Sequence, residues 1–386
     1  NQTGGLSLGA TTLTLSGGGN FQSVGLDLND ASSKLLLNSI TVDSVSTSAT
    51  NLGLDVNEDS TVTSLSVDHS TPVAIANTKT LSGAITVTYY GSLKLTETGT
   101  LASSIAMSGG VLYADNSLTV SGTLTHTGNI GIGVAINKTL TYSGAAISLG
   151  ANTLTLEGGG NLVSGGLTLN DASSKLVLHS IIVDSVSTSV DNSLGLNVGI
   201  ESTVSSLLVS NILPVAIEGG RMLSGAITVT NNGSLKLTKT GYLASSISMS
   251  GGVLEADNSL TVLGALTHTG NITIDVAETK TLTYTGTAIS VGANTLTLSG
   301  GGSLVSGGLT LDNADSKLLL NSITVDSVST SADSLGLDVD ADSTVTSLSV
   351  SNITPVAIAD GSILSGAITV TAGSIKLAET GTLASS

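Results

Sequence analysis

Three stretches of this chain are near copies of one another. From Gly9 the sequence reads GATTLTLSGGGNFQSVGLDLNDASSKLLLNSITVDSVSTS, and from Gly150 it reads GANTLTLEGGGNLVSGGLTLNDASSKLVLHSIIVDSVSTS. From Gly292 it reads GANTLTLSGGGSLVSGGLTLDNADSKLLLNSITVDSVSTS. The offsets are 150 − 9 = 141 and 292 − 150 = 142 residues. A chain that copies itself at a fixed interval stacks like units on one another instead of gathering around a single core. The copies span 9–149, 150–291 and 292–386, the third incomplete, with residues 1–8 the end of a preceding repeat.

Within each copy a finer rhythm runs. Two aliphatic residues flank one other residue at Leu154/Leu156, Leu167/Leu169, Leu176/Leu178, Val215/Ile217, Leu235/Leu237 and Ile272/Ile274. Alternation with period two marks short strands with one buried face, and no stretch sustains a helical stripe. Turn-forming clusters such as Gly158-Gly159-Gly160 and Asn231-Asn232-Gly233 separate the pairs. Cutting the middle copy at these turns leaves about seven segments of roughly 20 residues, the size of one solenoid coil. The expected fold is therefore all-β: a single-stranded parallel β-helix (β-solenoid) running continuously through 1–386, with some nineteen coils in total.

Composition agrees with thin layers and excludes several other classes. The chain has one Phe, no Trp and 2% aromatic residues, yet 40% hydrophobic residues supplied mostly by Leu, Val, Ile and Ala. So many branched aliphatics argue against disorder, and so few rings argue against a thick core. With 28 acidic against 11 basic residues the net charge is −17, which repels nucleic acid and offers nothing to anionic lipid. No run approaches the ~18 apolar residues of a membrane span. Cysteine is absent, so disulfides and thiolate metal sites are excluded. The opening Asn1-Gln2-Thr3 lacks Met and a leader, the expectation being a removed signal or a window from a longer chain.

The xLxLxxG alternation, the Gly/Asn-rich turns and the long near-identical repeats resemble the repetitive stalks of large bacterial surface proteins, notably autotransporter passengers and filamentous haemagglutinin-like adhesins. That resemblance implies a right-handed parallel β-helix, export, and a place in adhesion, matrix or sheath.

The copies also serve as internal controls for chemistry. Pro72, Pro214 and Pro355 match in position, and each is expected at a turn or an interrupted ladder. The glycine triplets at 17–19, 158–160 and 300–302 read as tight corners, because no Lys-Ser/Thr pair follows to cradle phosphate. Lys34, Lys175 and Lys317, with Asp43, Asp184 and Asp326 and with Lys94, Lys236 and Lys376, read as solvated charge ladders that discourage sideways pairing of sheets. His126 and His268 share the context Thr-His-Thr-Gly-Asn-Ile and lack a second ligand, so a surface or turn role is expected; His69 and His179 have no counterparts. Tyr142 and Tyr284 read as packing residues.

Asp338, Asp340 and Asp342 form the best metal candidate, but the pattern decays to Asp55, Asn57 and Asp59 and to Asn197, Gly199 and Glu201 in the other copies. Arg221 is the only Arg, and it aligns with Lys79 and Ser362. Sequons start at Asn1, Asn137, Asn232, Asn271 and Asn352. No catalytic, cofactor or metal residue is assigned, and no enzyme is expected, since clustered acids and aromatic sugar platforms are missing. The expected function is a structural element of an extracellular filament, sheath, matrix fibre or cell-surface stalk that self-associates end to end or belongs to a longer chain. The alternative is an adhesin stalk whose binding head lies elsewhere; a carbohydrate-active β-helix ranks third.

Overall fold

A computed structural model of the protein describes residues 5–385. The fold is an all-β parallel solenoid of about 19 turns with about 20 residues per turn, as the rhythm of the sequence requires. There is no helix among the described residues. They divide into two compact units, one running to Val186 and the other from Ser187.

In the first unit one sheet takes a single strand from each coil. Thr12–Ser16, Lys34–Asn38, Gly53–Val56, Ser70–Ile75, Ser92–Leu95 and Val111–Ala114 each lie parallel to the next. A second sheet takes the return path of each coil. There Ser60–Val67 pairs with Thr80–Val87, which in turn pairs with two shorter strands, Thr100–Leu101 and Ser104–Met107. One coil thus offers three strand segments, and the second and third fuse where a bulge sets Val62 and Ser64 against Gly83 and Ala84.

The second unit is built alike. Its first sheet runs through Ile212–Ile217, Ser234–Leu237, Val253–Ala256, Ile272–Val276, Thr295–Ser299 and Lys317–Asn321. Its second sheet repeats the fusion and the bulge, with Val204 and Ser206 opposite Gly225 and Ala226.

Parallel stacking in register makes the inward aliphatics continuous. Leu213, Leu235, Leu254, Ile274, Leu298, Leu320, Val339 and Ile358 follow one another through paired strands, and all are buried. Each contributes on the order of 1.5–3 kcal/mol by leaving water. Coil-to-coil amide bonds satisfy the backbone, so neither term requires a distant partner.

The recurring Asn-Asp-Ala-Ser-Ser-Lys turn explains itself at this level. Asn29 Oδ1 accepts the Gly9 amide of the coil before it at 2.9 Å, and Asn170 does the same for Gly150 at 2.8 Å. Asp30 then closes an Asx turn onto the Ser32 amide at 2.8 Å. Ser33, fully buried, accepts the Asp30 amide at 3.0 Å and donates to the Gly9 carbonyl at 2.5 Å.

Candidate functional site

Charged side chains that recur in the sequence are arranged as rungs between neighbouring coils. Lys34 meets Asp55 at 2.6 Å, Lys317 meets Asp338 at 2.5 Å, and Lys94 meets Asp115 at 3.0 Å. Lys236 bridges Glu255 at 3.1 Å and Asp257 at 3.2 Å. At another turn Lys79 meets Glu58, while Arg221 meets Glu201 at 3.5 Å. All are partly exposed to solvent, so each pair adds little to stability. At the sequence position that is Asp55 in the first copy and Asp338 in the third, the middle copy has Asn197.

Hydrogen bonds to Glu255 and then Asp257 raise the Lys236 ammonium above its ordinary value of 10.5. The Glu58 hydrogen bond does the same for Lys79. An amine raised on folding stabilises fully below its unfolded value, and that gain is lost as pH climbs through the folded value. The thermal midpoints of wild type and Lys236→Met should therefore differ by a constant amount from neutrality to about pH 10, then converge above it. Circular dichroism at graded alkaline pH measures this, and a gap that widens with pH contradicts it.

Asp184 and Asp326 do not behave as solvated charge, which corrects the expectation from sequence. The Ser164 amide donates to Asp184 at 2.8 Å and the Ser306 amide donates to Asp326 at 2.9 Å. Both serine hydroxyls add bonds of 3.2 Å. Each carboxylate holds the previous coil at a point where the strand turns.

The two matched histidines are turn staples. Nδ1 of His126 lies 3.1 Å from the Gly128 carbonyl and Nε2 lies 3.0 Å from the Ser148 carbonyl, one coil onward. His268 repeats this with Gly270 and Ser290 at 3.0 and 2.9 Å. His69 reaches the Thr47 carbonyl at 3.4 Å, and His179 ends a strand beside Glu157. Tyr142 and Tyr284 are buried, and their hydroxyls accept the Leu124 and Leu266 amides at 3.1 and 3.2 Å.

The three carboxylates proposed from sequence for a metal are used separately. Asp338 is paired with Lys317, and Asp342 accepts the Ile363 amide at 2.9 Å. A register shift between Leu320 and Asn321 falls at Asp340 and breaks the alternation expected to align the set. Among the described residues no three His, Asp or Glu side chains converge for an ion.

The prolines lie inside strands, not in turns. Pro72 pairs with Lys94 on one side, while pairing to the preceding coil starts at the next residue, Val73. The interrupted-ladder expectation holds, and the turn expectation is corrected. Gly53 occupies the gap: it has φ +83°, and a Cβ there would lie 1.7 Å from the Pro72 carbonyl oxygen. The glycine triplets do form corners, with φ of +105° and +82° at Gly300 and Gly301. A shallow concavity of about 650 Å³ beside them includes Asp275 and Glu278, and Asp275 accepts the Ser299 hydroxyl at 2.5 Å. Sequon residues Asn137, Asn232 and Asn271 are exposed and Asn352 is half-buried; Asn1 lies outside the described residues.

No protein-family model matches the chain, and neither the curated proteins nor the solved structures supply a match. The class that the fold and its polar contacts define is a parallel β-solenoid with charged ladders between coils.

Proposed function

We propose that this chain is a structural element of an extracellular filament, sheath, matrix fibre or cell-surface stalk, with no catalytic role. One observation carries the reading. Recurring ionisable side chains join coil to coil: Lys34 to Asp55, Asp184 to Ser164, and Nε2 of His126 to the Ser148 carbonyl. A fold that uses its ionisable side chains as struts suits load-bearing better than turnover. No helix among the described residues is long and apolar enough to cross a membrane. The finer form of the proposal, a stalk of the autotransporter-passenger or filamentous haemagglutinin type, rests on the xLxLxxG rhythm and the long repeats.

Antibodies raised against the chain should label extended material outside the source cell in immunogold electron microscopy. Labelling confined to the cell interior, or turnover of a polysaccharide by the purified chain, would overturn the proposal.

A further inference from the structure

In the second unit a short turn joins the strand Met222–Val229 to the strand Ser234–Leu237. Its central residues, Asn231 and Asn232, are exposed, whereas Gly233 behind them is buried. The Gly233 amide closes the turn on the Thr230 carbonyl at 2.9 Å, and neither asparagine has a positive φ, as in a type I turn.

The fold demands a glycine at the end of this turn. A Cβ on Gly233 would lie 2.2 Å from the Val209 carbonyl oxygen of the preceding coil, and one on Gly91 would lie 2.1 Å from that of Val67. The residue ahead of the glycine varies freely: it is Tyr90 in the first copy, Asn232 in the middle one and Ala372 in the third. The middle copy therefore sets an exposed carboxamide directly before a residue without a side chain. This is the only Asn-Gly step in the chain.

Such a step is chemically labile, because no Cβ hinders the glycine nitrogen as it approaches the side chain before it. Every other asparagine precedes a residue whose Cβ crowds that approach. Asp360-Gly361 shares the glycine, but an ionised carboxylate is a poor electrophile, and this one accepts the Thr380 hydroxyl at 3.1 Å.

We propose that Asn232 is a site of spontaneous covalent modification in the folded protein, at which the amide is lost and isoaspartate is formed. The Gly233 nitrogen gives its proton to hydroxide and attacks Cγ of Asn232. The N–Cγ bond forms, the Cγ–Nδ2 bond breaks, and Nδ2 takes up a proton and leaves as ammonia. Water then opens the cyclic imide. Opening at the main-chain carbonyl of Asn232 routes the chain through Cγ as isoaspartate, and opening at Cγ gives aspartate. Water is the only co-reactant, and nothing is oxidised or reduced. For the attack only the bond from Gly233 to Thr230 has to open, which is a local event at an exposed turn.

The isoaspartate product strikes a tight joint. It lengthens the main chain by a methylene just ahead of Gly233, whose carbonyl accepts the Val253 amide at 3.0 Å. The Ser234 amide beyond it bonds the Asn211 carbonyl at 3.2 Å. Both bonds, and the start of the ladder through Ser234–Leu237, are displaced by the insertion.

Peptide mapping by mass spectrometry tests the proposal on the whole chain, made in a host that leaves Asn232 unglycosylated and held folded in mildly alkaline heavy-oxygen water. The expected result is loss of ammonia and uptake of label at Asn232 ahead of every Asn-Ser step, such as Asn116 and Asn258, with isoaspartate among the products. Asn232→Tyr places there the residue found before Gly91 and should fold as wild type without the reaction; Asn231→Tyr should retain it. Asn232→Asp adds the charge without the methylene. It should keep the hydrogen-exchange protection of Ser234–Leu237 that the isoaspartate form loses. Retention of the amide in the folded chain, with loss only in urea, overturns the proposal. So does earlier loss at an Asn-Ser step, or an isoaspartate form as well protected as Asn232→Asp.

Discussion

Gly225→Ala is expected to destabilise the second unit by about 3–5 kcal/mol, although it adds a single methyl group. Gly225 sits on the strand Met222–Val229 opposite a bulge, where the neighbouring coil passes from Val204 to Ser206 with Ser205 left unpaired. Its φ is +120°, a conformation that costs an L-residue strain, and a Cβ there would lie 1.8 Å from the Val204 carbonyl oxygen. That oxygen is main chain held in a ladder, so it cannot swing aside as a side chain would. The two coils must separate at this point or the bulge must dissolve. Hydrogen exchange should show lost protection in Ser202–Val209 and Met222–Val229 before other strands of the unit. Ser224→Ala, next to it in the same strand, should leave exchange unchanged within error. Normal protection around Gly225→Ala would mean that the bulge is not a rigid joint.

This joint marks the boundary of what the sequence discloses. Alternating pairs such as Leu235/Leu237 could be read directly, because burial on one face imposes a period of two whatever the partner strand is. The parallel stack followed from the copies, since like segments placed side by side bury like residues. The fusion of two segments into Ser60–Val67 could not be read, because the bulge at Thr63 interrupts the alternation that would announce one strand. The part played by Asp184 was hidden for another reason. Its partner Ser164 is 20 residues away, and inter-coil bonds leave no mark on local propensity. Alternation separates inside from outside, but it does not say which outward residues share a face. Hence the long stretch of the second sheet without Asp, Glu, Lys or Arg, from Ser202–Val209 to Leu309–Leu311, became visible only once the strands were placed. The metal candidate failed on the same ground: a local string of Asp338, Asp340 and Asp342 says nothing about a register shift imposed by the next coil.

Leu254→Asp should do more damage than Gly225→Ala, and its reach along the stack is the more telling readout. Leu254 is fully buried between Leu235 and Ile274 in the aliphatic column of the first sheet. Truncating such a leucine to alanine costs about 2–5 kcal/mol, and an unpaired carboxylate adds several more through lost hydration. No basic side chain lies on the buried face of the strand Val253–Ala256, whose inward positions are Leu254 and Ala256. The coil carrying the aspartate cannot close, and it withdraws apolar contact and amide partners from the coil on either side. Exchange should therefore rise steeply in Ser234–Leu237, Val253–Ala256 and Ile272–Val276. It should fall off through Thr295–Ser299 and leave Ile353–Ile358 protected, because each coil is stabilised by its neighbours and not by a shared centre. Uniform loss of protection through the whole unit would instead mean one cooperative core. In that case the economy of this sequence, small aliphatic rungs repeated without a large aromatic anchor, would need a different explanation.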